Sequence, residues 1–213
     1  LEEFQYNIKL MRNIADGLAK VKPLHVINIG SDAVFADGPL PLNENSSKAP
    51  YNFHGLMHLT RELVFSGLDM PLVTIRPTLV YGDGDPHNGY GPNRFIRLAL
   101  QNETISLFGE GEERRDHIFV EDVAEIVVQA AMHGSVGSLN ATTGEVWSFR
   151  EIASIVVELA GSSSSIQGSQ RIAPMPHDGL RNFDNSAIFD AFPNFTITPL
   201  KSGLRRYVEA LSG

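Results

Sequence analysis

Apolar residues recur at helical spacing over residues 4–19, where Phe4, Ile8, Met11, Ile14, Ala15 and Leu18 share one face. Lys20, Lys22 and Pro23 follow as a basic end and a stop, so a helix is predicted here. It feeds a nearly unbroken apolar run, Leu24 to Ile29, which reads as a strand covered on both faces. Asp37 to Ala49 is an aperiodic loop of Pro, Asn and Ser. Helical spacing then returns with Leu56, Leu59, Leu63 and Val64, in a helix that opens near Pro50 and stops at Gly67. A second apolar strand, Leu72 to Ile75, comes next, and Arg76-Pro77 breaks its pattern. Helix, strand, helix and strand in this order predict an α/β fold with a parallel sheet.

Tyr81 to Gly91 holds four glycines with Asp83, Asp85, Pro86, His87 and Asn88, a loop that either moves or wraps a ligand. A short helix is expected around Phe95 to Leu100 and a short strand at Ile105 to Phe108, ended by Gly109-Glu110-Gly111. Asp116 to Val120 reads as a strand, and Glu121 and Asp122 put negative charge at the first turn of a helix from Val123 to Met132. Residues 133–145 read as a polar, glycine-bearing connection, Phe149 to Leu159 as a helix, 162–165 as a flexible serine run, and Leu200 to Leu211 as the last helix.

With 213 residues and 42% apolar content, the chain can bury a sizeable core. No apolar run reaches membrane-spanning length and no signal peptide is visible, so no membrane partner is expected. Zero cysteines exclude disulfides and make a cytoplasmic location the default. A net charge of -8 argues against binding nucleic acid through its phosphates. The chain begins at Leu1 and its first methionine is Met11, so a further segment upstream is expected.

Ligands of open α/β sheets sit beyond the carboxyl ends of the strands, and Ser31 lies at such an end. His54 and His58, four apart, share a helical face shortly after it. A neutral imidazole of pKa ~6.5 serves as a general base, so the pair reads either as an acid/base site or as two histidines on a face that does not catalyse. A metal-binding reading lacks a glutamate between them and a third ligand. The Ser31 hydroxyl reads equally as a substrate contact and as a turn cap.

Two blocks carry a resemblance. Arg76-Pro77-Thr78-Leu79-Val80-Tyr81-Gly82 and the run from Gly109-Glu110-Gly111 through Arg114-Arg115-Asp116 to Asp122-Val123 resemble the extended short-chain dehydrogenase/reductase family, the NAD-dependent epimerases and dehydratases of nucleotide sugars. Weaker matches are Asn7, Gly30-Ser31-Asp32-Ala33-Val34-Phe35, Leu139-Asn140 and Arg181 followed by Asp184. The resemblance implies a partial Rossmann-like, doubly wound parallel sheet over 1–84 and 117–147, with a smaller substrate-binding lobe over 85–116 and 148–213. It implies NAD or NADP as cofactor, a nucleotide-sugar substrate, and a homodimer paired through residues 4–19 and 52–66. The family's glycine-rich pyrophosphate turn lies upstream of the matched region, and none of the 19 glycines here forms such a run.

The family uses a Ser/Thr, a Tyr and a Lys four residues later. Counted back from Glu62, the Tyr and Lys positions hold His54 and His58, and Ser31 takes the Ser/Thr position. The resemblance places Pro77 and His58 at the cofactor and Asn93, Arg115 and Arg181 at the substrate, with Arg115 on the diphosphate and Glu110, Glu112 and Glu113 in solvent. Ala33 stands where the dehydratase branch has a glutamate, which disfavours dehydration. The implied activity is hydride transfer at a sugar hydroxyl. The alternative is a non-catalytic relative that binds a sugar nucleotide or a partner protein.

Overall fold

The computed structural model describes residues 2–212. In chain order it contains α1 (Glu2–Val21), β1 (Val26–Ile29), α2 (Phe53–Ser66), β2 (Leu72–Pro77), β3 (Leu79–Tyr81), α3 (Pro92–Leu100), β4 (Ile105–Phe108), β5 (Arg114–Arg115) and β6 (His117–Phe119). There follow α4 (Val120–His133), β7 (Gly137–Ala141), β8 (Trp147–Ser148), α5 (Phe149–Leu159), β9 (Ile166–Ser169), β10 (Leu180–Arg181), α6 (Ser186–Ala191) and α7 (Leu200–Ser212). Two compact units emerge: Leu1–Thr78, Ala124–Ala141 and Asp184–Phe195 form one, and Leu79–Val123, Thr142–Phe183 and Thr196–Gly213 the other. The junctions therefore fall after Thr78, Val123 and Ala141, where the sequence division put them at 84, 116 and 147, and residues 184–195 join the first unit. Among the described residues no helix is long and apolar enough to cross a membrane.

In the first unit β1, β2 and β7 form a parallel sheet in that order, with Ile29 beside Ile75 and Ile75 beside Leu139. Parallel strands need crossovers, and α2 supplies the one between β1 and β2. Asn52 caps α2 by accepting a hydrogen bond from Gly55 N at 2.8 Å. Gly55 then allows the helix its approach: a side chain there would overlap the Ala33 carbonyl oxygen and the Pro50 ring. The first turn of α2 is thereby pressed onto the short 3-10 turn Asp32–Val34 that follows Ser31. Along the same helix, Glu62 takes a bidentate pair of bonds from the buried Arg76, Nε to Oε1 at 2.8 Å and Nη2 to Oε2 at 2.9 Å. Phe35 lies 5.4 Å from the guanidinium carbon.

The second unit is built around Phe95, Ile96, Leu107, Phe119, Phe149, Ile152 and Leu204, contributed by α3, β4, β6, α5 and α7. A reciprocal cap starts α5: Ser148 Oγ accepts from Glu151 N at 3.1 Å, and Glu151 accepts from Ser148 N at 2.8 Å. Asp116, buried between β5 and β6, accepts from Thr142 Oγ1 at 2.6 Å and from the backbone N–H groups of Thr143 and Gly144. One carboxylate thus gathers the loop after β7.

Four sequence expectations change. The first strand starts at Val26, not Leu24, and is half open, since Leu24 is 95% and Ile29 42% exposed; β1 pairs only with β2 among the described strands. Arg76 and Pro77 extend β2, beside Asn140 and Ala141 of β7. The polar connection 133–145 contains β7, because pairing with β2 and burial of Leu139, Asn140 and Ala141 outweigh its weak strand composition. The serine run is bonded rather than free: Ser162 Oγ donates to Ala99 O at 2.7 Å, and Ser164 is buried.

Two outcomes follow. Glu62→Leu leaves Arg76 buried without its counter-charge and should cost on the order of 3 kcal/mol in urea unfolding, with most of it recovered by Glu62→Leu/Arg76→Met. A single-variant loss below ~1 kcal/mol would show that the pair does not hold α2. The second concerns His117, which burial and then the Arg115 charge hold down to about 3. The unfolded chain binds this proton near pH ~6.5, so the contribution is complete above that pH and falls by about 2 kcal/mol by pH 5. His117→Phe, which keeps the ring packed edge-on to Phe149, should flatten that acid slope by about one proton in pH-resolved melting, and an unchanged slope would contradict the buried neutral state.

Candidate active site

In the first unit the carboxyl end of β1 delivers Ser31, whose Oγ accepts from Ala33 N at 3.1 Å and donates to Asp32 Oδ1 at 3.4 Å. The hydroxyl is thus the cap of the 3-10 turn, with a lone pair left for another donor. The Gly55 contact holds the first turn of α2, which carries His54, against this turn, and His58 follows one helical turn later. The two rings meet edge to face with centroids 4.7 Å apart. His54 is exposed and His58 partly buried. Burial, then the Arg61 charge, then His54 hold His58 down to about 4. Pro77, at the carboxyl end of β2, is buried.

Arg61 was not singled out by sequence. Its Nη2 lies 2.9 Å from His58 Nδ1 and also donates to Ile29 O at the end of β1, while its Nε is buried without a hydrogen-bond partner. The available signal was its spacing three residues after His58, which puts both on one helical face.

In the second unit Arg115 and Arg181 occupy directly paired positions of the parallel strands β5 and β10. Arg181 is buried, with Nη1 3.1 Å from His177 Nδ1 and its guanidinium 5.7 Å from the Phe183 ring. Arg115 Nη1 donates to Glu113 Oε1 at 3.1 Å. Glu113 is therefore not the solvent acid expected from sequence: it is 5% exposed and also lies 3.8 Å from Arg171. Glu112 pairs with Arg171 at 3.3 Å, and Arg114 turns away to donate to Val146 O. Burial of the Glu113 carboxylate goes with the cations on either side of it, Arg115 and Arg171.

Asn93 sits at the start of α3, where its Oδ1 accepts from Gly82 N at 3.1 Å and closes the glycine-rich loop. It lines a cavity of about 160 Å³ with Leu79, Val80, Asp85, Tyr90 and His117. His117 Nδ1 donates to Arg115 O at 3.1 Å, so its buried Nε2 is an acceptor, and it has no partner. Sequence quoted His117 only as part of a motif. A groove of about 440 Å³ in the same unit is lined by Phe108, Ser169, Arg171, Ile172, Pro174 and Pro176.

His54 and His58 thus stand together on α2 of one unit, Ser31 caps the turn against which that helix packs, and Arg115 and Arg181 pair on one small sheet of the other. Comparisons with known proteins agree with this architecture. A UDP-glucose epimerase of Bacillus subtilis, YtcB, described as uncharacterized, is 22% identical over 97% of this chain and 66% of its own length. The UDP-N-acetyl-alpha-D-glucosaminuronate decarboxylase of Bacillus cytotoxicus is 28% identical over 78% of this chain and 55% of its own length. The chain therefore spans less than two thirds of either relative. The crystal structure of Thermus thermophilus UDP-glucose 4-epimerase in complex with NAD superposes with a TM-score of 0.86 over 99% of this chain and 71% of that one, at 22% identity, and shows a shared fold. The model of the NAD dependent epimerase/dehydratase family matches residues 1–141, and this chain belongs to that family.

Proposed function

We propose that this chain is the larger part of an enzyme that oxidises or epimerises a nucleotide sugar by hydride transfer at a ring hydroxyl. The observation that carries the reading is the pair Arg115 and Arg181, side by side on β5 and β10. Two guanidinium groups at paired positions put two positive charges side by side, which suits the adjacent phosphates of a nucleoside diphosphate. The relatives act, by their names, on UDP-sugars, which is the same chemistry.

The residues proposed for the hydride-transfer chemistry belong to the first unit. His54 is an exposed imidazole and takes the hydroxyl proton as general base. Ser31 accepts or donates one hydrogen bond to the same oxygen. A bound NAD would supply the hydride acceptor for the carbinol carbon. The residues present fit the nicotinamide side of such a cofactor: a hydroxyl, an imidazole donor and a buried proline stand at or beside the carboxyl ends of β1 and β2. The glycine run that would seat its pyrophosphate is not in this chain. Asn93 and the cavity it lines would hold part of the substrate.

A second reading, a relative that binds a sugar nucleotide or a partner protein without turnover, is favoured by Ser31 acting as a turn cap and by the missing tyrosine and lysine. Pairing into a homodimer through α1 and α2 fits the apolar side chains exposed there, among them Tyr6, Phe53 and Leu63, and a cytoplasmic setting fits the absence of cysteine.

Titration calorimetry with a UDP-sugar should show about thirtyfold weaker binding for Arg115→Ala, the loss of roughly 2 kcal/mol of charged hydrogen bonding. Arg114→Ala, whose guanidinium faces Val146 O, should change affinity less than threefold. Equal losses, or none at Arg115, would place the diphosphate elsewhere. Turnover is decided separately: a change in nicotinamide absorbance with a nucleotide sugar supports the enzyme, and tight binding without it supports the non-catalytic reading.

A further inference from the structure

We propose that His58 and Arg61 act as one unit that takes over the work of a lysine at this position, with the charge on Arg61 and the donated proton on His58 Nε2. The inference rests on reading this face of α2 as the cofactor side. It starts from hydrogen-bond logic. A guanidinium only donates, so the 2.9 Å contact between Arg61 Nη2 and His58 Nδ1 makes Nδ1 the acceptor. The neutral ring must then carry its proton on Nε2. That N–H is the one His58 offers to a ligand.

Arg61 is held for this task. The same Nη2 donates to Ile29 O, so its two hydrogens are divided between the end of β1 and the ring of His58. A cation fixed on one ring nitrogen polarises the imidazole and strengthens the donor on the other. It also keeps the ring neutral, because a second proton on Nδ1 would face a guanidinium N–H. The other neighbours agree: His54 acts in the same direction, Glu62 is committed to Arg76, and Asp32, on the turn packed against α2, accepts from Ser31.

A division of labour follows. His58 has no free basic nitrogen, since Nδ1 is bonded and Nε2 is protonated, so it cannot be the base. His54 is left with that role. His58 donates to an oxygen, and the fitting acceptor is a hydroxyl of the cofactor ribose. Arg61 touches no reacting atom in this scheme and is a positioning residue.

Histidine-selective ¹⁵N NMR on the full chain, which needs no ligand, reads the tautomer directly. At pH 7 His58 should show a protonated Nε2 and an acceptor Nδ1, with no titration above about pH 5. In Arg61→Ala the ring should titrate at a higher pH than in the unaltered chain, still held below the ordinary ~6.5 by burial, and populate both tautomers, and Arg61→Lys should lower the titration again in part. A protonated Nδ1 in the unaltered chain, or titration unchanged in Arg61→Ala, overturns the pairing. Should Arg61→Ala fail to fold, the spectrum of the unaltered chain still decides. NADH binding followed by fluorescence on the full chain then tests the cofactor role: Arg61→Ala and His58→Phe should each weaken it about tenfold, and His58→Lys placed in the Arg61→Ala background should recover it. Unchanged NADH affinity in both single variants overturns that role. Neither measurement involves a nucleotide sugar, so a failure here is distinct from a failure at Arg115.

Discussion

The buried pair of Arg76 and Glu62 is the constraint on which the first unit turns. Arg76 belongs to β2 and Glu62 to α2, so two bonds under 3 Å tie the rotation of the helix to the sheet. The pair also bears on β1, because a side chain at Gly30 would come within 3.0 Å of Glu62 Oε1 and 3.2 Å of Arg76 Cγ. Glu62 lies eight residues after His54 and four after His58, and a helix held at one point of a face is held along that face. The direction in which the two imidazoles point is therefore set about one turn away from His58 and about two turns away from His54. A buried ion pair adds little net stability over an apolar pair, so its value here lies in allowing one helix orientation and penalising others.

The second unit solves the same problem with one carboxylate. Asp116 accepts from three donors, the Thr142 hydroxyl and the backbone N–H groups of Thr143 and Gly144, and it sits next in sequence to Arg115. Rotation of β5 is limited by that neighbour, and the Arg115 side chain is limited again by Glu113. Arg181 reaches the adjacent position through β10, a strand of two residues. An arginine in such a short element needs side-chain anchors, and His177 and Phe183 provide them.

How much of this was legible depended on whether the signal was local. The helices were, because amphipathic spacing reports the core face directly: 4–19 became Glu2–Val21, and 149–159 became Phe149–Leu159. β7 was not, since Gly137-Ser138-Leu139-Asn140-Ala141 is a strand only through its partner some sixty residues earlier. Two-residue strands such as β5, β8 and β10 exist by pairing alone. At the site, Ser31, His54 and His58 could be located by spacing, but whether the hydroxyl was free could not, because its acceptor role depends on the Ala33 backbone. Glu113 failed for a related reason: an acid in a glycine-rich, charged stretch reads as solvated until Arg115 and Arg171 are seen on either side.

Histidines at both 54 and 58, in the register that would put tyrosine and lysine there, make more sense together than apart. A tyrosine base starts from a pKa near ~10 and needs a neighbouring cation to become a usable base at neutral pH. An imidazole starts near ~6.5 and needs no such help, so a strong positive charge close to it would only lower its proton affinity and make it a weaker base. With histidine at 54, a lysine at 58 would therefore work against the base. A neutral imidazole at 58 keeps the hydrogen-bond donor and removes the charge to Arg61, one ring further away, bonded to the far nitrogen of His58. The remaining demand at position 58 is a fixed orientation, and the bond from Arg61 to Ile29 O at the end of β1 meets it.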